Sequence, residues 1–238
     1  MPREANAGRR RAVSGPLQIV CVKNDDGVFR TMIGENPFMN KYPVIAYDNR
    51  AENIGIPLRY NHFIESHMND DSWLVFCHQD FGFDEDPLDR LRELDRGFLY
   101  GPIGAARRRG IFIRGGKIVL EKKVLLGRIR QARGDNRFFD HGIPITRPVP
   151  VDTVDCCCLI VHASLVKEHG LRFDENLGFH LYAEEFSLNA RINHGVRTMA
   201  VPLNARHLSF GDTSPDFHRS LDYVRRKYEG TTFAGTCF

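Results

Sequence analysis

Unbroken apolar runs alternating with polar loops organise the first eighty residues. Leu17-Gln18-Ile19-Val20-Cys21-Val22 and Trp73-Leu74-Val75-Phe76-Cys77 read as strands of a sheet covered on both faces. Pro43-Val44-Ile45-Ala46-Tyr47 reads as the second strand in the chain, between them. Ile56, Tyr60, Phe63, Ile64 and His67 recur at helical spacing, and Asn69-Asp70-Asp71 closes that helix. Strand, loop, strand, helix, strand predicts an α/β domain with a twisted, mostly parallel sheet and helices on its faces.

The rest of the chain extends this pattern. Asp86-Pro87 is an N-cap and first helical position for Leu88, Leu91 and Leu94, with Gly97 as the stop. Phe98 to Gly104 reads as one strand. Ile111-Phe112-Ile113, Gly115-Gly116 and Ile118-Val119-Leu120 read as a small antiparallel hairpin. Residues 127–148 are basic and aperiodic, which predicts a mobile loop. Pro150 to Val161 reads as one cysteine-bearing strand. Helices are expected over Ala163–His169 and Ala183–His194, with a strand at Val196–Val201 after them. A final helix begins at Ser214-Pro215, with Phe217, Leu221, Val224 and Tyr228 as its apolar stripe. Residues 1–15 read as a disordered basic arm and 16–238 as a single domain.

Composition adds limits rather than detail. A hydrophobic share of 42% and a charged share of 26% fit a globular chain that buries a core. The net charge of +3 is small, and its excess is scattered over Arg9–Arg11, Arg107–Arg109 and the stretch from Lys122 to Arg133. That argues against nucleic acid as a partner and leaves peripheral contact with a membrane surface open. No apolar run has the roughly 18 residues of a membrane span. No apolar leader follows the basic N-terminus, so the expected location is cytoplasmic. Cys156-Cys157-Cys158 are adjacent; on one strand they alternate between faces and suit a core, not a metal.

The polar residues at strand ends carry the chemistry. Lys23, Asn24, Asp25 and Asp26 follow the first strand, at the carboxyl edge where α/β sheets bind ligands. His78 and Asp80 follow the third strand and lie on the same side of an extended chain. A carboxylate there suits Mg²⁺ or Mn²⁺, and the histidine favours Mn²⁺. Asp155 stands in an apolar run, so it faces either a site or an internal partner. Glu184 and Glu185 open a helix; helical rotation by about 100° per residue lets at most one of them enter a shared pocket. His180 and Tyr182 precede them and either bind a polar substrate or pack. His207 is a candidate metal ligand through its neutral imidazole.

Taken in order, these segments resemble the family 2-like glycosyltransferases with the nucleotide-diphospho-sugar (GT-A) fold, in the bacterial branch with His-x-Asp in place of Asp-x-Asp. The resemblance rests on Trp73 to Asp80, on Val154 to Cys157, on Arg172 to Leu188, and on Arg206 to Ser209. It implies a GT-A-like fold and a nucleotide-sugar donor. It also implies transfer, with inversion, to a hydroxyl of a carbohydrate, lipid-linked or protein acceptor, as in polysaccharide biosynthesis. By position it implies that Lys23 to Asp26 contact the nucleotide and that Asp80 holds a divalent metal, with His207 as a second ligand. Asp155 then lines the acceptor side. Glu185 is the general base, and Glu184 is the alternative. Two other readings stay open: a nucleotidyltransferase on a similar scaffold, and a non-catalytic nucleotide- or carbohydrate-binding homologue. The single glycine in Lys23 to Gly27 weighs against the first.

Overall fold

In a computed structural model, residues 15–132, 137–209 and 214–237 are described, with side chains except at 111–114, 117 and 119. The arm expected over residues 1–15 lies, apart from Gly15, outside the described residues.

In chain order the strands are β1 (Leu17–Lys23), β2 (Val44–Asp48), β3 (Trp73–His78), β4 (Phe81–Phe83), β5 (Phe98–Gly101), β6 (Ile103–Arg114) and β7 (Lys117–Gly127). They continue with β8 (Ile129–Ala132), β9 (Phe138–His141), β10 (Val149–Val151), β11 (Thr153–Val154), β12 (Cys158–His162), β13 (Arg197–Ala200) and β14 (Ala205–His207). The helices are α1 (Asp26–Phe29), which runs on as a π-helical turn over Arg30–Gly34, and α2 (Ile56–Ser66), α3 (Pro87–Leu91), α4 (Ala163–His169), α5 (Tyr182–His194) and α6 (Pro215–Lys227).

A seven-stranded sheet in the order β10-β13-β5-β12-β3-β1-β2 forms the centre. Five strands run one way; β12 and β10 run against them. Alternation along each strand splits the core in two. Val20, Leu74, Phe76, Leu159 and Val161 face α2, α4, α5 and α6. Leu17, Ile19, Val75, Cys77 and Ile160 face the π-helical turn, α3 and strand β4. Phe76 is fully buried against Tyr60, Phe63 and Phe173. Truncating it to alanine should cost about 3–5 kcal/mol.

Three sequence expectations need correction. Phe98–Gly104 is two strands: after Pro102 the chain leaves the central sheet and enters a three-stranded sheet, β11-β6-β7. Gly127 makes that crossing feasible, since its φ is +89° and a Cβ there would lie 2.1 Å from the Pro102 carbonyl oxygen. Pro150–Val161 is not one strand either. Its three pieces pair with β13, with β6, and with β3 and β5, and Asp155 to Cys157 form the turn before the last piece. The cysteines therefore do not alternate along one strand, and all six are free thiols. Residues 127–148 are not simply a loop: β8 and β9 pair antiparallel in a four-stranded sheet, β4-β14-β8-β9, with 133–136 outside the described residues. The strands are short and carry little apolar alternation, which hid them. No helix of the described residues is long and apolar enough to cross a membrane.

Candidate active site

Pairing of β1 with β3 in parallel places Val22 opposite His78, so the polar segments after both strands share one edge of the sheet. Antiparallel pairing of β14 with β4 sets His207 opposite Phe81, and the Leu208 amide donates to the Asp80 carbonyl at 3.0 Å. Those two registers bring together residues 129 positions apart. His207 Nε2 lies 3.2 Å from Asp80 Oδ1 and 3.4 Å from His78 Nδ1. Ser209 Oγ is 3.1 Å from the same His207 nitrogen. The ligand atoms of His78, Asp80 and His207 all lie within 4.8 Å of one another.

This donor set fits a divalent cation. Two imidazole nitrogens and a carboxylate oxygen converge on one point, and imidazole with carboxylate suits Mn²⁺ better than the all-oxygen preference of Mg²⁺. Burial works to raise the Asp80 carboxyl, but the hydrogen bond and charge of His207, aided by His78 and Ser209, hold it well below the usual carboxylate range. Burial, then the charge of His207, pushes the His78 imidazole down to about 4, so its neutral, ligating form prevails at neutral pH. The His78 ring stacks on Phe179 with centroids 5.4 Å apart and planes at 15°.

Two cavities meet at this cluster. One, of about 500 Å³, is lined by Lys23, Asn24, Asn49, Asn53 and Asp80 among others. The second, of about 350 Å³, is lined by Asp155, Cys156, His180, Glu184, His207 and Thr236 among others. His78, Phe179 and Ser209 line both.

The floor of the second cavity is an acidic pair. Asp155 follows β11; its Oδ1 accepts the Cys157 amide at 2.9 Å, and the carboxyl stays ionised despite burial. Glu184 sits in the first turn of α5, which is pinned to the same turn: Tyr182 OH donates to the Cys156 carbonyl at 2.8 Å. The helix starts from Leu181, a buried non-glycine residue held at φ +61°, where left-handed backbone costs about 1–2 kcal/mol. Burial, then the neighbouring Asp155 carboxylate, pushes the Glu184 carboxyl up to about 7. Its Oε1 accepts from Thr236 Oγ1 at 2.7 Å, and its Oε2 contacts Cys156 Sγ at 2.9 Å.

The remaining expected site residues divide. Lys23 and Asn24 line the first cavity, but Asp25 turns away to cap α1, its Oδ1 accepting the Gly27 and Val28 amides. His180 lines the second cavity. Tyr182 does not: it is fully buried and packs on Tyr60 and Phe173. Glu185, the expected base, lines neither cavity. One residue on from Glu184, it points at α6, where its Oε1 accepts from Lys227 Nζ at 2.8 Å and Tyr228 OH at 2.7 Å. The expected meeting of residues 80 and 185 in one cavity is therefore replaced by Asp80 and Glu184 on two adjoining ones.

Sequence reading also missed Gln79. It lies in the turn after β3 and lines the first cavity, and its Oε1 accepts the Asn24 and Asp25 amides, both at 2.9 Å, tying the first loop to the His-x-Asp turn. Thr236 gave no signal at all; a lone threonine far down the chain carries no motif.

No family model matches the chain, and no curated protein matches it. Among solved structures it is similar to S. aureus TarS 1-349, at a TM-score of 0.53 and 12% identity, over 92% of this chain and 67% of that one. The complex of that protein with UDP-GlcNAc matches at 0.53 and 10%, over 92% and 68%. GalNAc-T7 with UDP, GalNAc and Mn²⁺ matches at 0.51 and 10%, over 90% of this chain and 48% of that one. The chain thus spans about half the length of the GalNAc-T7 chain. Identity this low speaks to fold alone, and the fold is that of the GT-A glycosyltransferases, as the sequence resemblance implies.

Proposed function

We propose that the protein is a family 2-like inverting glycosyltransferase that moves a sugar from a nucleoside-diphosphate sugar to an acceptor hydroxyl. One observation carries this reading: the His78–Asp80–His207 cluster stands where two cavities adjoin, one bordered by the polar loop after β1 and the other floored by Asp155 and Glu184. A transfer between two substrates needs such a pair of sites with the bond-breaking point between them.

In this reading the nucleotide occupies the first cavity, against Lys23, Asn24 and Asn49. His78, Asp80 and His207 would hold a divalent cation, which when bound offsets the negative charge that develops on the departing diphosphate. The acceptor enters the second cavity. Glu184 takes the proton from its hydroxyl, and the oxygen attacks the anomeric carbon from the face opposite the leaving group. A carboxyl poised near neutrality suits that role, because both its charge state and its basicity are then useful. Asp155 stays ionised and keeps Glu184 basic. The pairing of Glu185 with Lys227 and Tyr228 favours a structural role for it in place of the base implied by the resemblance.

The test is a donor screen: UDP-, GDP- and dTDP-sugars incubated with Mn²⁺, with products separated and identified. The reading predicts release of a nucleoside diphosphate from at least one donor and its loss in Glu184→Gln. Release of pyrophosphate instead, or turnover that survives Glu184→Gln, would contradict it.

A further inference from the structure

Beyond Ala106 and Val124, the β6–β7 ribbon pairs with no third strand among the described residues; β11 reaches only Gly104 and Ala105. The ribbon carries Ile118 and Leu120 at 70% and 71% exposure, more than any other large apolar side chain of the described residues. Two positions apart on one strand, they share a face. Next along that face come Lys122 and its cross-strand partner Arg108, both exposed, and then Val124 and Ala106, which enter the core.

The charge arrangement is unusual for a ribbon. Opposite charges across a ribbon stabilise it, and like charges directly opposite are destabilising. Here the register sets Arg107 against Lys123 and Arg108 against Lys122; only Arg109 faces an acid, Glu121. Arg107 is answered by Asp152 and Glu121. From Arg107 to Lys123 the sequence holds seven Lys or Arg residues and a single acid, Glu121. A chain whose net charge is only +3 has thus gathered +6 on one projecting element. Ile118 and Leu120 thus lie between Arg114 and Lys117 at the turn and Arg108 and Lys122 further along the ribbon, and an exposed apolar pair flanked by cations suits an anionic bilayer surface, where aliphatic groups enter the acyl boundary and Lys or Arg meet headgroup phosphates.

We propose that the β6–β7 hairpin docks the protein on an anionic lipid surface, with Ile118 and Leu120 at the acyl boundary and Arg108 and Lys122 against headgroup phosphates. None of these four residues lines either cavity, so the proposal stands apart from the catalytic reading.

The experiment is co-sedimentation of the full chain with vesicles of phosphatidylcholine alone or mixed with phosphatidylglycerol, at low and high salt. Wild type should bind the anionic vesicles at least about tenfold more tightly than the neutral ones, and less tightly at high salt. Arg108→Glu with Lys122→Glu should remove that preference. Ile118→Ser with Leu120→Ser should weaken binding several-fold and leave its salt dependence. Unchanged thermal unfolding midpoints would show that both double variants fold. Equal binding to both vesicle types, or anionic binding that either folded variant retains in full, would overturn the proposal. So would a concentration-dependent dimer lost in the serine variant without vesicle binding, or binding to a nucleic-acid duplex without vesicle binding.

Discussion

Glu184 and Glu185 are neighbours in sequence, share the first turn of one helix and are equally buried at 1% exposure, yet they sit in opposite surroundings. The face of α5 that bears Glu184 meets a thiol, a threonine hydroxyl and a second carboxylate at the floor of a cavity. The face that bears Glu185 meets Lys227 and Tyr228 of the α6 region. Burial raises both carboxyls; Lys227 and Tyr228 offset only part of it at Glu185, whereas Asp155 adds to it at Glu184. Chemistry is thus assigned by what each side chain faces, not by residue type or depth. In the proposed mechanism one carboxyl is kept reactive at the expense of stability, while the other ties α5 to the α6 region.

Several substitutions break or sharpen this contrast. The largest effect is expected for Glu184→Gln, which should lower nucleoside-diphosphate release by about 10²- to 10⁴-fold, whereas Glu185→Gln should stay within severalfold of wild type. Asp80→Ala should weaken Mn²⁺-dependent nucleoside-diphosphate binding, read by calorimetry, at least about tenfold. Glu185→Gln should instead show in denaturant unfolding, with a loss of about 1–3 kcal/mol, because Lys227 loses one of its two carboxylate partners. At Glu184 the same substitution should act in the reverse sense. Its carboxyl binds a proton more tightly folded than unfolded, so stability should fall as pH rises from the ordinary glutamate range to about 7 and then level. Glu184→Gln should remove that slope and gain on the order of 1–3 kcal/mol at pH 8. The smallest effect is expected for Gln79→Ala, which frees the Asn24–Asp25 loop at a cost of about 1 kcal/mol.

The centre of the sheet was legible because β1 and β3 are apolar on both faces and lie where the runs of Val, Ile and Leu put them. The helices α2, α5 and α6 were legible from their stripes and caps, as were Asp86 and Pro87 at the start of α3. Short strands were not. β4, β8, β9 and β14 hold three or four residues each, too few for periodicity to register, yet β14 is what carries His207 to Asp80. For the site, sequence order pointed to the strand-end residues His78 and Asp80. The resemblance gave Glu185 as the base and Glu184 as the alternative, but the sequence does not say which of them faces the cavity, since a helix's rotation about its own axis is fixed by the partners it packs on. Here those are the Cys156 turn on one side and Lys227 on the other.

The most direct measurement is the pH–rate profile of nucleoside-diphosphate release for wild type, Glu184→Gln and Glu185→Gln with Mn²⁺ present. The rate of wild type and of Glu185→Gln should climb through about pH 7 as Glu184 gives up its proton, and that limb should vanish in Glu184→Gln. A limb that persists in Glu184→Gln but disappears in Glu185→Gln would contradict the assignment.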